Sequence, residues 1–291
     1  MQPAHTALLP DRGVVRVTGE DAGKLLQGVI TNDMDLLATQ LALHAGLLTP
    51  QGKILFEFFV VKTDGGFLLE TGRDKAADLA KRLSMYKLRA KAVIADASAD
   101  FRVFAVWGTV PSSSGQAAGT VSFADPRHPD LGLRILAPQS ATNSFDATPE
   151  AYHAHRIALG VPEGGRDYVL GDTFPHEADF DVLHGASFTK GCFVGQEVVS
   201  RMQNRGTVRK RVVPVTGAAP LAAGADVTTG AAVIGKIGSV AGTQALALLR
   251  LDRVDEATAK GEPVLAGGVP ITVRKPEWLP ATPARLPAEA P

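Results

Sequence analysis

Lys190-Gly191-Cys192-Phe193-Val194-Gly195-Gln196-Glu197-Val198-Val199-Ser200-Arg201 holds the only cysteine of the chain. Glycines on both sides of the thiol open backbone conformations closed to other residues and let the chain approach a ligand closely. From Gly195 to Met202 there is no helix breaker, Val198 and Met202 sit at helical spacing, and Glu197 falls in the first turn. That pattern predicts a helix. A thiol just ahead of a helix N-terminus, two residues after Lys190, is expected to ionise more readily than a free cysteine. The same letters also fit a tight loop-to-helix turn around a buried, inert cysteine, a common fate for a free thiol.

Other motifs flank this one: Arg156-Ile157-Ala158-Leu159-Gly160-Val161-Pro162-Glu163, Phe174-Pro175-His176-Glu177-Ala178, Gln27-Gly28-Val29-Ile30-Thr31-Asn32-Asp33, Pro50-Gln51-Gly52-Lys53 and Tyr86-Lys87-Leu88-Arg89. The cysteine stretch resembles, nearly letter for letter, the signature of the YgfZ family. These are folate-binding proteins of iron–sulfur cluster maintenance, related to the aminomethyltransferase (T-protein) of the glycine cleavage system. The resemblance implies an α+β, T-protein-like fold: two intertwined α+β units around a central folate cavity, then a C-terminal antiparallel β-barrel. It implies tetrahydrofolate or a derivative as cofactor. Iron–sulfur enzymes or cluster-assembly proteins are the implied partners, tRNA-modifying enzymes among the clients. On the same basis Glu177 is a pterin-edge carboxylate, Asn32 and Asp33 lie near the pterin, and Arg201 meets an anionic group. Gly191, Gly195, Gln196 and Glu197 complete the ligand-facing motif, Cys192 is the reactive thiol, and Lys190 tunes its charge. One departure matters. T-proteins carry a pair of aspartates in the strand after the glycine-containing turn, and Phe56 and Glu57 stand there in this chain. A phenylalanine cannot orient or deprotonate an amine, so folate-dependent aminomethyl or methyl transfer is the alternative reading. Whether the chain is an enzyme stays open.

With 291 residues, 45% hydrophobic and 21% charged, the chain has material for more than one core. Its formal net charge of zero gives no global argument for nucleic acid or membrane. One cysteine excludes an internal disulfide and any metal site built from several thiolates of this chain. Iron bound through Cys192 would need its other ligands from His, carboxylate, a small molecule or a second chain. Met1 to Pro10 lacks the pattern of a signal peptide and no stretch reaches the length of a membrane helix, so a cytoplasmic compartment is expected.

Along the chain, Gly13–Val17 reads as a strand and Thr18 with Asp21 as an approximate capping box for a helix carrying Ala22, Leu25, Leu26 and Val29. Strands are predicted at Leu41–Thr49, Ile54–Lys62, Phe67–Glu70, Lys91–Ala95, Phe101–Trp107 and Gly132–Ala137, with a helix through Ala76, Leu79, Ala80 and Leu83. Thr148, Pro149 and Gly160 mark the cap, first turn and stop of another helix. The irregular stretch Val161–Thr189 is long enough to be read as functional. Beyond Gly206, strands at Arg211–Val215, Val233–Val240, Ala245–Leu251 and Pro270–Val273 suggest the barrel. The resulting division is 1–97, 98–206 with the cysteine motif, 207–280, and a tail over 281–291.

Arg201, Arg205, Arg209, Lys210 and Arg211 place five cations in eleven residues with no acid among them. They fit a solvated face, a folate polyglutamate tail, an acidic protein or tRNA phosphates; the absence of interleaved aromatics weakens a nucleic-acid reading. An RNA- or protein-binding adaptor is therefore a second alternative. His153 and His155, two apart on a helix, cannot form an i, i+4 metal pair.

Overall fold

The computed structural model describes residues 3–109, 115–117, 119–142, 144–205 and 208–279. Those within Met1–Leu48, Leu55–Tyr152 and Leu183–Val194 form one compact unit, and those within Thr49–Ile54, His153–Val182 and Gly195–Pro291 form the other. This grouping differs from the division at residues 97 and 206. The loop bearing Cys192 belongs with both α+β sheets, and the residues on either side of that loop group with the barrel. The tail over 281–291 lies outside the described residues.

In the first unit, two five-stranded sheets form. One runs in the order His5–Leu8, Phe101–Trp107, Leu133–Pro138, Thr120–Ala124, Gly115–Ala117; the other Ala42–Leu48, Ile54–Thr63, Gly66–Gly72, Arg12–Thr18, Val93–Asp96. Period-two alternation sorts the second sheet's side chains between two cores. Val14, Phe59, Val61 and Leu68 meet Val103, Ala105, Val121, Phe123 and Leu136 of the first sheet. Val15, Val17, Phe56, Phe58, Val60 and Leu69 face helices α1 (Ala22–Val29) and α2 (Arg73–Lys87). A sheet covered on both faces needs apolar residues at successive positions, and Ile54–Val61 supplies them. Each large side chain so buried contributes roughly 1.5–3 kcal/mol.

The capping box expected at Thr18 does not form. Thr18 ends its strand, Gly19 turns at φ +106, and α1 starts only at Ala22. Asp21 Oδ2 instead accepts from Lys91 N at 2.7 Å, tying the helix start to the loop after α2. The other cap forms as expected: α3 (Pro149–Leu159) begins with Thr148 Oγ1 accepting from Ala151 N at 3.3 Å and stops at Gly160, φ +84.

In the second unit, Lys210–Gly217, Gln244–Arg250, Ala232–Ala241, Asp226–Thr229, Val264–Ala266 and Val269–Val273 close into a six-stranded barrel. Its core holds Val213, Val215, Val227, Ile237, Ala247 and Leu249, and Val254 and Ala257 of an additional helix (Leu251–Lys260) pack onto it. That helix, preceded by α4 (Gln196–Arg205), is α5. The irregular segment after α3 is held by Arg156, which is fully buried. Arg156 donates to Asp167 Oδ2 at 2.6 Å, Val161 O at 3.1 Å and Ser239 Oγ at 2.6 Å.

Candidate functional site at the cysteine loop

In the first unit, the loop 183–194 is stitched to the segment that leaves α1. Thr31 Oγ1 donates to Gly185 O at 2.6 Å and accepts from Gly46 N at 2.8 Å, while Ser187 N donates to Thr31 O at 2.9 Å. Asn32 Nδ2 donates to both His44 O and His184 O, at 2.8 and 2.7 Å. Lys190 closes the arrangement. Its ammonium donates to the carbonyls of Gln27, Ile30 and Asn32 at 2.7, 2.9 and 2.7 Å. These include carbonyls that the end of α1 leaves without helical partners, and a cation is favoured at that end. Lys190 is only 7% exposed. Burial pulls its pKa down to about 8, against the opposing charges of Asp33 and Asp35. Its Nζ also lies 5.3 Å from the Phe193 ring centroid.

This arrangement gives Lys190 a different part from tuning the thiol: all three of its N–H donors are engaged on backbone oxygen. Two residues on, Cys192 is exposed and free, which removes the reading of a buried, inert cysteine. Asp33 caps the short 3-10 turn after it, its Oδ1 accepting from Gln27 Nε2 at 2.9 Å and Asp35 N at 3.1 Å.

In the second unit, Gln196 opens α4, Gly195 turns at φ +81, and Glu197 and Arg201 pair with each other at 2.8 Å on the helix surface. Gly52 turns at φ +79 against this helix; a Cβ there would sit 2.8 Å from Val198 Cβ, so the Pro50-Gln51-Gly52 turn needs its glycine. Glu177 is half-buried, with Oε2 accepting from Phe174 N at 3.0 Å. Its Oε1 makes no hydrogen bond among the described residues. His176 Nε2 meets Gln203 Oε1 at 2.8 Å, and burial lowers the pKa of the imidazole against the pull of Asp181.

The basic run is shorter in space than in sequence. Arg211 is buried, donating to Asp181 at both of its oxygens and to Asp179 Oδ1 at 3.1 Å. Arg201 is paired, which leaves Arg209 and Lys210 exposed; the side chain of Arg205 lies outside the described residues. Asp179 is fully buried at φ +62, and its Oδ2 has no hydrogen-bond partner among the described residues. Burial raises its carboxyl well above the usual range, against Arg211. The unfolded chain therefore releases this proton near pH 4 and the folded chain much later. The contribution of Asp179 to stability is fully present below that pH and is lost as pH rises through the folded value. Asp179→Asn is expected to stabilise the protein near neutral pH by about 1–2 kcal/mol and to flatten this dependence, as read by urea unfolding at a series of pH values.

Sequence reading did not anticipate a buried ionic chain between the two sheets of the first unit. Arg12 Nε donates to Glu70 Oε1 at 2.6 Å, and Arg134 reaches the same oxygen at 3.2 Å and Tyr152 OH at 2.6 Å. Arg134 also lies 3.5 Å from Asp125 Oδ2, which Arg127 holds at 2.8 Å. Arg127 in turn lies 3.9 Å from Glu57 Oε1, and His44 Nε2 meets that oxygen at 2.9 Å. The two guanidinium groups Arg127 and Arg134 stack on Phe59, 4.8 and 5.4 Å from its centroid. Burial opposes ionisation of Asp125, but Arg127 and then Arg134 outweigh it and hold the carboxyl at about 2. Glu57 thus faces ionic partners rather than solvent, and Phe56 is in the hydrophobic core beside the helices. A solvent-facing position was the expectation for Glu57 from its place in an alternating strand, and nothing local announced its partners.

Two α+β sheets with helices, followed by a closed six-stranded barrel, constitute the aminomethyltransferase T-protein fold. The chain matches the glycine cleavage system aminomethyltransferase T from Bartonella henselae with a TM-score of 0.76, over 95% of this chain and 86% of that one, at 16% identity. Residues 209–281 match the family model for the CAF17 C-terminal beta-barrel domain. Among curated proteins, the mitochondrial iron-sulfur cluster assembly factor IBA57 of Homo sapiens is 31% identical, with 94% of this chain and 84% of that protein covered. The homolog from Pyricularia oryzae is 32% identical, covering 89% and 75%. That from Neurospora crassa is 36% identical over 73% of this chain. The chain spans only about half the length of some relatives, 54% of the Neurospora crassa protein and 56% of the one from Mycosarcoma maydis. The chain belongs to the IBA57 family, which is the name its relatives carry in place of the related YgfZ. The cytoplasmic compartment expected from the sequence is corrected by the same finding, since these relatives are mitochondrial proteins by name. Among the described residues no helix is long and apolar enough to cross a membrane.

Proposed function

We propose that the chain supports the assembly or repair of iron–sulfur clusters as a tetrahydrofolate-binding protein, with tRNA-modifying enzymes among the clients. The observation that carries this reading is the pinned loop: Lys190 immobilises its base on three carbonyls while Cys192 projects into solvent. A thiolate presented in this way can ligate iron, with the remaining ligands coming from a second protein. The names of the relatives support the role in cluster assembly.

For the folate, Glu177 is the residue that fits best, because its backbone-anchored carboxylate keeps Oε1 available for the donor edge of a pterin. Asp33 keeps its second oxygen, whereas Asn32 has both amide donors engaged within the chain and serves the cysteine loop. A bound reduced folate supplies one-carbon and redox chemistry. Aminomethyl transfer is disfavoured because Glu57 is engaged by His44 and lies beside Arg127.

The test has two arms. Cys192→Ser is expected to leave the fold intact and abolish support of cluster enzymes in cells; full complementation by it would remove the thiol from the mechanism. Calorimetric titration with a reduced folate is expected to show binding weakened at least tenfold by Glu177→Ala, about 1.4 kcal/mol. No binding to the wild type would mean that the fold is kept without the ligand.

A further inference from the structure

The motif Tyr86-Lys87-Leu88-Arg89 is not used by the cysteine loop. Leu88 follows α2 with φ 47 and ψ −108, a backbone conformation that disfavours any residue with a Cβ, and its side chain is 89% exposed. No burial compensates this strain. Strained backbone of this kind persists where the displayed side chain is needed. Met85, three residues earlier on the last turn of α2, is 63% exposed, and Val93, which opens the outermost strand of its sheet, is 64% exposed. Phe145, Val169 and Val233 are also exposed but stand apart in sequence, and isolated cases of that kind are ordinary.

Along the chain the charges beside these three side chains are one-sided, and across it Glu20 and Asp21 meet the loop at Lys91. Between Lys81 and Lys91 there are five cations and no acid, in a chain whose net charge is zero. Lys91 pairs with Glu20 at 2.9 Å. Lys81, Arg82, Lys87 and Arg89 have no carboxylate partner among the described residues, where most other cations are paired. Aliphatic side chains rimmed by unpaired cations complement an acidic surface that offers aliphatic side chains of its own.

We propose that the exposed end of α2, with Leu88 and its sequence neighbours Met85, Lys87, Arg89 and Val93, docks an acidic, leucine-rich segment of a protein partner. The inference rests on the reading of the chain as an assembly factor, for which that partner is a cluster carrier or client. A single-stranded nucleic acid fits less well, because the patch offers no exposed aromatic face for stacking. A bilayer also fits less well. The apolar stripe of α2, Ala76, Leu79, Ala80 and Leu83, is buried in the first unit, so only its last turn could enter the membrane.

The test measures fluorescence anisotropy of a short labelled peptide of alternating Glu and Leu, with a Gln–Leu peptide, phosphatidylglycerol vesicles and single-stranded RNA as competing probes. The expected result is salt-sensitive binding of the Glu–Leu peptide, weakened at least tenfold by Leu88→Gly and by the double variant Lys87→Glu, Arg89→Glu. Leu88→Gly is also expected to raise Tm, since glycine adopts this backbone freely. Equal peptide binding by wild type and both variants overturns the proposal. So does binding of vesicles or RNA in place of the peptide, and so does a fall in Tm for Leu88→Gly, which would make Leu88 a packing residue. Unchanged cluster-enzyme activity in cells that lack the protein would remove the assembly reading while leaving the peptide result standing, so the two failures are distinguishable.

Discussion

Arg134→Met is expected to destabilise the protein by about 4 kcal/mol. Arg134 is 1% exposed and joins Glu70, Tyr152 and Asp125. Methionine fills much of the volume but leaves two buried carboxylates with one cation each, Arg12 on Glu70 and Arg127 on Asp125. Urea unfolding of wild type and variant checks this, and a loss below about 1 kcal/mol would show that the neighbouring cations suffice. The acid limb should move as well. With its pKa held near 2, Asp125 contributes stability that is present above about pH 4 and lost as pH falls through the folded value. Without Arg134 the folded value rises, so the loss is smaller and is complete at higher pH.

Lys190→Met is the second large effect, about 3 kcal/mol, with faster amide exchange across residues 183–190. The substitution keeps the apolar stem and removes the donor shared by three carbonyls. Relief from burying the ammonium offsets part of the loss. That part has a sign that can be read: the folded chain releases the Lys190 proton at about 8 and the unfolded chain at about 10.5. Between those values the unfolded state binds more protons, so wild-type stability gains with pH, and the Met variant should lack the gain. Unchanged exchange at Ser187 and Lys190 would show that the contacts of Thr31 and Asn32 hold the loop alone.

Much of the first unit was legible because it is written locally. Ile54–Lys62 announces a strand, and Thr148-Pro149 with Gly160 brackets α3. The helix after the cysteine motif also forms where spacing put it, at Gln196–Arg205. What escaped was decided by distant residues. The short strand His5–Leu8 is defined by its pairing with Phe101–Trp107. Helix α5 was readable from Leu251, Val254 and Ala257, with Asp252 in its first turn and Gly261 beyond its end, but the surrounding barrel pattern masked it. At the site, the exposed thiol was within reach of sequence reasoning. The engagement of Lys190 with carbonyls some 160 positions earlier was not, and neither was the alignment of Arg12, Arg127 and Arg134 between two sheets.

The separation of Lys190 from its three carbonyls, 158 to 163 residues, also sets a schedule for biosynthesis. A chain emerging N-terminus first exposes the end of α1 early, yet the residue that satisfies it arrives only after the whole of both sheets. At typical translation rates that interval is on the order of ten seconds. Throughout it the nascent first unit presents bare carbonyls at Gln27, Ile30 and Asn32 and lacks the strap formed by residues 183–194. Completion of the fold and display of the thiol are thus the same late event, so a prematurely terminated chain would not carry Cys192 on a finished scaffold.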